Sequence, residues 1–254
     1  MGGVKMNVKL GLLVTLLLGL FILLGALIAF FIKKKEKVVD FSLGLAFGVI
    51  TMLVITDLLP EIIEELGLGH IYIFILGTIA GYFLLKLLDK FIPDHEETKD
   101  KALPPKENLI HIGVVTSLAL VLHNIIEGMA VYSTTITDIS LGLPIAIGVG
   151  FHNIPLGMVI AGAFYQSNEN IWKTIGIITM VSLSTFLGGL IMFFLDITSI
   201  SGILLGLLLS VTLGMLIYIA YAELFPRIKE MKNRKVAYVG MAIGVMILLL
   251  SVLI

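Results

Sequence analysis

The sequence predicts an all-α integral membrane protein: an eight-transmembrane-helix bundle with an inverted repeat, its N- and C-termini outside. Three observations lead there. The 254 residues are 58% hydrophobic and only 14% charged, with a mean hydropathy of +1.09; a water-soluble domain of this length does not look like that. Apolar runs of about 18 or more residues recur along the chain, each long enough to cross a bilayer. The runs are continuous and do not alternate every second residue. A backbone that must satisfy its own hydrogen bonds in lipid therefore does so as helices, not as a barrel.

The spans are expected at about 7–32, 38–63, 69–92, 108–133, 139–166, 171–196, 199–227 and 235–254. The first is too long for a signal-peptide core and ends in Lys33-Lys34-Lys35, so it is expected to be retained. Connections are short, and no boundary separates independent units, so residues 1–254 read as a single transmembrane domain. The longest connection, 93–107, holds Pro104-Pro105, Asp94, Glu96, Glu97 and several lysines, and reads as a solvated cytoplasmic loop. With the amino end outside, fifteen of the seventeen basic residues fall on inner segments, and only Lys5 and Lys9 stay outside. Small residues at packing spacing (Gly44 and Gly48, Gly77 and Gly81, Gly202 and Gly206, Gly240 and Gly244) point to close helix approach. The absence of cysteine excludes disulfides and thiolate metal sites, and a net charge of −1 suggests no nucleic-acid partner.

The fourth span reads Leu122-His123-Asn124-Ile125-Ile126-Glu127-Gly128. Ionisable groups at mid-membrane cost roughly 2.5–3.5 kcal/mol each on insertion scales, so they face a cavity, a partner or an ion. His123 and Glu127 share a helix face and Asn124 borders it. Imidazole and carboxylate suit zinc and similar dications, although the two could simply hydrogen-bond each other. The fifth span carries a near copy, His152-Asn153-Ile154-Pro155. Both His-Asn pairs lie about 15 residues from the middle of the turn between the spans, hence about 22 Å from it at the same depth. Their convergence favours a metal site over a structural network. Pro155 should free the Phe151 carbonyl and kink its helix.

Asp57-Leu58-Leu59-Pro60-Glu61 near the outer end of span two and Glu223-Leu224-Phe225-Pro226-Arg227 near the inner end of span seven share an acid-Leu-apolar-Pro pattern. An inverted repeat would place such a pair at opposite membrane faces, making Asp57 and Glu223 the two mouths of a path. The other reading is a helix ended by Pro with an acid at the interface. His70 and His111 fall at span ends and read as interfacial. Asp94, His95, Glu96 and Glu97 read as a solvated charge run, and Met52, Met129 and Met158 as packing.

These motifs together resemble the ZIP family of divalent metal transporters: His-Asn-x-x-Glu-Gly in span four, His-Asn-Ile-Pro in span five, and the Leu-Leu-Pro-Glu and Glu-Leu-Phe-Pro segments. The resemblance implies metal-binding roles for His123, Asn124, Glu127, His152 and Asn153, an entrance at Asp57 and an inner exit at Glu223. It implies transport of zinc, or of iron, manganese or cadmium, toward the cytoplasm. It also implies spans one, four, five and six moving against two, three, seven and eight, in a homodimer, in the cell (plasma) membrane. No cofactor and no enzymatic activity are expected beyond the carried metal. Three positions depart from the pattern. Ile126 replaces a Pro, Leu156 replaces the Glu expected after Pro155, and Thr185 in span six takes another Glu position. One principal site is therefore expected, made of His123, Glu127 and His152 and completed by an amide or water. The alternatives are an intramembrane zinc hydrolase and a non-transporting metal sensor or scaffold of the same fold.

Overall fold

The computed structural model describes residues 2–31, 36–91, 106–167, 170–231 and 234–252. Most of the 93–107 loop, with Asp94, His95, Glu96 and Glu97, lies outside these, as do Lys33-Lys34-Lys35 and Glu169. The described residues form helices and no strand. In order they are α1 (Gly2–Phe30), α2 (Glu36–Leu53), a π-helical turn (Val54–Leu58), α3 (Leu59–Leu66), α4 (Ile71–Asp89), α5 (Lys106–Thr137), α6 (Ile139–Gln166), α7 (Ile171–Phe194), α8 (Gly202–Ile217), a second π-helical stretch (Tyr218–Leu224), α9 (Phe225–Glu230) and α10 (Arg234–Val252); a 3-10 turn, Leu68–His70, joins α3 to α4.

Seven stretches among the described residues are long and apolar enough to cross a membrane: Asn7–Phe30, Asp40–Leu66, Leu68–Asp89, Leu109–Thr137, Ile139–Tyr165, Ile171–Phe194 and Gly202–Glu230. The 19-residue α10 occupies the place expected for the eighth. α5 runs four residues past its expected end at 133. The hydroxyls of Thr134, Thr135 and Thr137 each donate to the carbonyl four residues back, so this polar run stays helical. Asp138 alone then turns the chain, and its carboxylate accepts from the Ser140 hydroxyl and amide at the start of α6. Those two bonds hold the Asp138 carboxyl below the usual carboxylate range.

The backbone irregularity expected at Pro155 is found elsewhere. α6 is helical without a break through Pro144 and Pro155, and it is clamped by α1, whose Gly25 lies directly on the Ile154 carbonyl. The irregular turns are the two π segments, one before Leu59-Pro60 and one before Phe225-Pro226. In each the residue ahead of the proline donates five residues back: Leu59 N–H to the Val54 carbonyl, and Phe225 N–H to the Ala220 carbonyl. Proline removes the next backbone donor, and a wider turn accommodates that loss without ending the helix. Neither proline terminates its span.

Packing falls into two sets. α1 lies against α5, α6 and α7, and α5 against α6 and α7; α2 pairs with α10, and α4 and α3 pair with α8. Glycines set these approaches as the spacing predicts. A Cβ at Gly44 or Gly240 would meet backbone of α10 or α2, and one at Gly81 would meet backbone of α8. Ser133 donates to the Thr198 carbonyl and Asn7 to the Ile136 carbonyl, so the start of α1, the end of α5 and the connection before α8 share one face of the bundle, called here the turn face.

Candidate metal centre

His123 and Glu127 stand one turn apart on α5, and His152 comes from the neighbouring α6. The ring centroids of His123 and His152 are 6.3 Å apart. His152 Nε2 lies 2.8 Å from Glu127 Oε1, and His123 Nε2 lies 3.5 Å from the same oxygen. One donor atom from each of these three buried residues falls within 4.8 Å of the others, close enough to share one cation. Neither nitrogen of the His123 ring has a hydrogen-bond partner among the described residues. A buried polar atom left this way is costly, and ligation of a cation through one nitrogen removes part of that cost.

The amides flank this trio in different ways. Asn153 Nδ2 lies 3.4 Å from Glu127 Oε2, which holds the second carboxylate oxygen. Asn124 Nδ2 donates across to the Val181 carbonyl of α7 at 3.2 Å, so its nitrogen ties two helices together. The side-chain oxygens of both asparagines are buried and carry no hydrogen bond among the described residues. An amide oxygen is a competent ligand for a dication, so either residue could complete a shell begun by the trio. Gly128 follows Glu127, where a Cβ would strike the Thr185 backbone, and α7 is thereby drawn against α5. The Thr185 hydroxyl is buried with no partner among the described residues, and Leu156 is buried one turn after His152.

Asp57 was expected at an entrance to the path. Its carboxylate also reaches the cluster: Oδ2 lies 3.1 Å from His152 Nδ1 while the side chain stays 43% exposed. The π turn over Val54–Leu58 carries it there. Asp57 is therefore the rim of the same constellation, on the side of the turn face.

Toward the opposite face a second group assembles. Asp89 at the end of α4 lies 2.7 Å from His111 Nε2 on α5, and Glu223 in the second π segment lies 3.9 Å from that nitrogen. These three also have donor atoms within 4.8 Å of one another. Tyr218 donates its hydroxyl to Asp89 at 2.5 Å, and Arg227 donates to Glu223 at 3.1 Å. Glu223 was named from sequence as a path residue and Arg227 only as the end of its motif; Asp89 and Tyr218 were not named, and His111 was assigned to the interface although its side chain is only 3% exposed. The available signal was positional: Asp89 and His111 close the ends of consecutive antiparallel spans and so share a depth. His70 does sit at a span end, with Nδ1 2.9 Å from the Leu66 carbonyl.

The ZIP Zinc transporter family model matches residues 93–251. The zinc transporter ZupT of Clostridium perfringens is 30% identical, covering 99% of this chain and 98% of that protein. The zinc transporters ZupT of Streptococcus mutans and Stenotrophomonas maltophilia are each 28% identical, covering 95% and 96% of this chain and 96% and 95% of theirs.

Proposed function

This chain belongs to the ZIP zinc transporter family, and we propose that it carries zinc through the membrane by way of a site between spans four and five. The apolar helices and the family make it an integral membrane protein. The observation that carries the finer reading is the meeting of His123, Glu127 and His152 from two adjacent helices at buried depth. Two imidazoles and one carboxylate are a good zinc set, with Asn124, Asn153 or water to complete four-coordination; iron, manganese and cadmium fit the same donors less selectively. The direction is toward the cytoplasm, with α10 as the eighth span, both termini outside and residues 1–254 as one transmembrane unit. The fifteen-to-two split of basic residues supports that orientation. The paired π turns, each holding an acid three residues ahead of a proline (Asp57 and Pro60, Glu223 and Pro226), support an inverted repeat relating spans two and seven. A homodimer in the plasma membrane is the assembly we adopt.

The set α1, α5, α6 and α7 carries the metal ligands, and the remaining helices carry Asp57, Asp89 and Glu223. Two histidines of the first set, His152 and His111, pair with acids of the second. A relative displacement of the sets would exchange these contacts, exposing the mid-membrane site to one side and then the other. The relatives are zinc transporters, which sets aside the hydrolase alternative. Uptake of zinc into vesicles holding the purified protein tests the proposal. Uptake that saturates and is lost in His123→Ala/Glu127→Ala supports it. Uptake equal in wild type and double variant overturns it, and zinc binding without flux assigns the chain to the sensor or scaffold reading.

A further inference from the structure

We infer that Asp57 is a positioning residue for His152 and supplies the second negative charge of the zinc site. The inference rests on the metal site proposed above. His152 is held at both ring nitrogens, Nε2 facing Glu127 at 2.8 Å and Nδ1 facing Asp57 at 3.1 Å. A ring bonded at both ends cannot rotate without losing one contact. When Nε2 ligates a cation, Nδ1 carries the proton and donates it to the Asp57 carboxylate, which fixes the tautomer and the ring plane. His123 has no such support, since both its nitrogens lack a hydrogen-bond partner among the described residues. The two imidazoles are therefore unequal: one is preset, and the other swings to meet the ion.

Charge leads to the same residue. Leu156 and Thr185 are buried and neutral where the family resemblance leads one to expect carboxylates, so Glu127 is the only acid in the trio. A dication with Glu127 alone leaves an excess of one positive charge at mid-membrane. Asp57 cancels it through the imidazole bridge without entering the first coordination shell. Its arrival depends on local backbone, because the π turn sealed by the Leu59-to-Val54 bond is what carries residue 57 toward α6. Asp57 belongs to the α2–α3 span, outside the helix set that bears the ligands. The grip on His152 therefore holds in the arrangement of helices seen here and loosens when the sets part. Zinc affinity thereby becomes a function of the arrangement.

The test uses the full-length protein in detergent, with zinc affinity read by competition against a chelator and imidazole ligation read by X-ray absorption. Asp57→Asn keeps an acceptor and removes the charge; we expect zinc Kd to rise about 10-fold, and Asp57→Ala to raise it toward 100-fold, the range found when outer-shell partners of ligating histidines are removed. Wild type should show two imidazoles on zinc and Asp57→Ala fewer. Asp57→Glu should recover most of the affinity. Leu156→Glu, placed one helical turn from His152, should restore Kd in the Asp57→Asn background. Asp57→Asn is nearly isosteric, so its result stands even where the alanine variant fails to fold. Kd and imidazole number unchanged in Asp57→Asn and Asp57→Ala, with only the uptake rate lowered, would reduce Asp57 to an entrance and overturn the inference. A wild-type protein that binds no zinc would overturn the metal site itself, and this inference with it.

Discussion

The cluster of His123, Glu127 and His152 and the cluster near the opposite face use the same side-chain chemistry and differ in what surrounds it. His123, Glu127 and His152 have no lysine or arginine among them, and both His123 nitrogens lack a hydrogen-bond partner among the described residues. Asp89, His111 and Glu223 are already joined by Tyr218 and by the Arg227 guanidinium, which lies 3.1 Å from Glu223. The first group has donors to spare for an incoming cation. The second carries a tethered cation of its own that competes for one of its acids. A site meant to capture an ion and a site meant to pass it on would differ in this way, and the comparison can be pressed by experiment.

The largest effect should come from the first cluster. His123→Ala/Glu127→Ala removes two of the three proposed ligands, so uptake should fall to the level of protein-free vesicles, measured with radioactive zinc. Glu223→Gln, by contrast, should leave zinc Kd within about twofold and lower the uptake rate severalfold, because Coulomb attraction at that end assists departure more than capture. If Glu223→Gln matched the loss of affinity in the double variant, the distinction between the clusters would be gone. Arg227→Gln should sharpen it. With the guanidinium removed, the Asp89, His111 and Glu223 donors are released for a cation, and zinc stoichiometry in an equilibrium titration should rise from about one toward about two per chain.

Acidification should act next. A ligating imidazole must be neutral, and its ordinary pKa is about 6.5, so protons displace the metal as pH falls. Zinc affinity should be at least about tenfold weaker at about pH 5.5 than at about pH 7.5, the factor proton competition gives for each such imidazole. Proton release on zinc binding, followed by calorimetry in two buffers of different ionisation enthalpy, checks the sign. The smallest effect belongs to the frame of the first cluster. Asn124→Ala deletes the bond to the Val181 carbonyl and should cost about 1 kcal/mol of stability, read as a modest loss of thermal stability in detergent.

Much of the first cluster was legible in the sequence because its parts are local. His123 and Glu127 obey the four-residue spacing of a helix face, and the repeated His-Asn pair fixed a second helix at equal depth. Asn124 was legible as a neighbour, but its turn toward Val181 was not, since that depends on where α7 packs. The second cluster was mostly hidden. Asp89, His111 and Glu223 come from three spans with no shared spacing, and only assembly of α4, α5 and the Tyr218–Leu224 segment brings them together. The prolines misled in an instructive way. Pro155 was expected to disturb its helix and leaves it helical without a break, while Pro60 and Pro226, read as possible terminators, sit just beyond widened turns inside continuous spans. What a proline does in lipid depends on how the preceding turn can rearrange and which neighbour covers it, and neither is written in the local sequence.

Those widened turns also act as phase shifters. An ordinary helix advances its side chains by about 100° per residue, so a turn holding one additional residue rotates everything beyond it by a comparable angle. The stripe that seats α2 on α10 thus gives way, past Val54–Leu58, to a different stripe that seats α3 on α8. A single rod thereby serves two neighbours in succession. Shortening that stretch by one residue would do little to its length, but it would swing the segment from Pro60 to Leu66 away from its seat and carry the Asp57 side chain off its bearing.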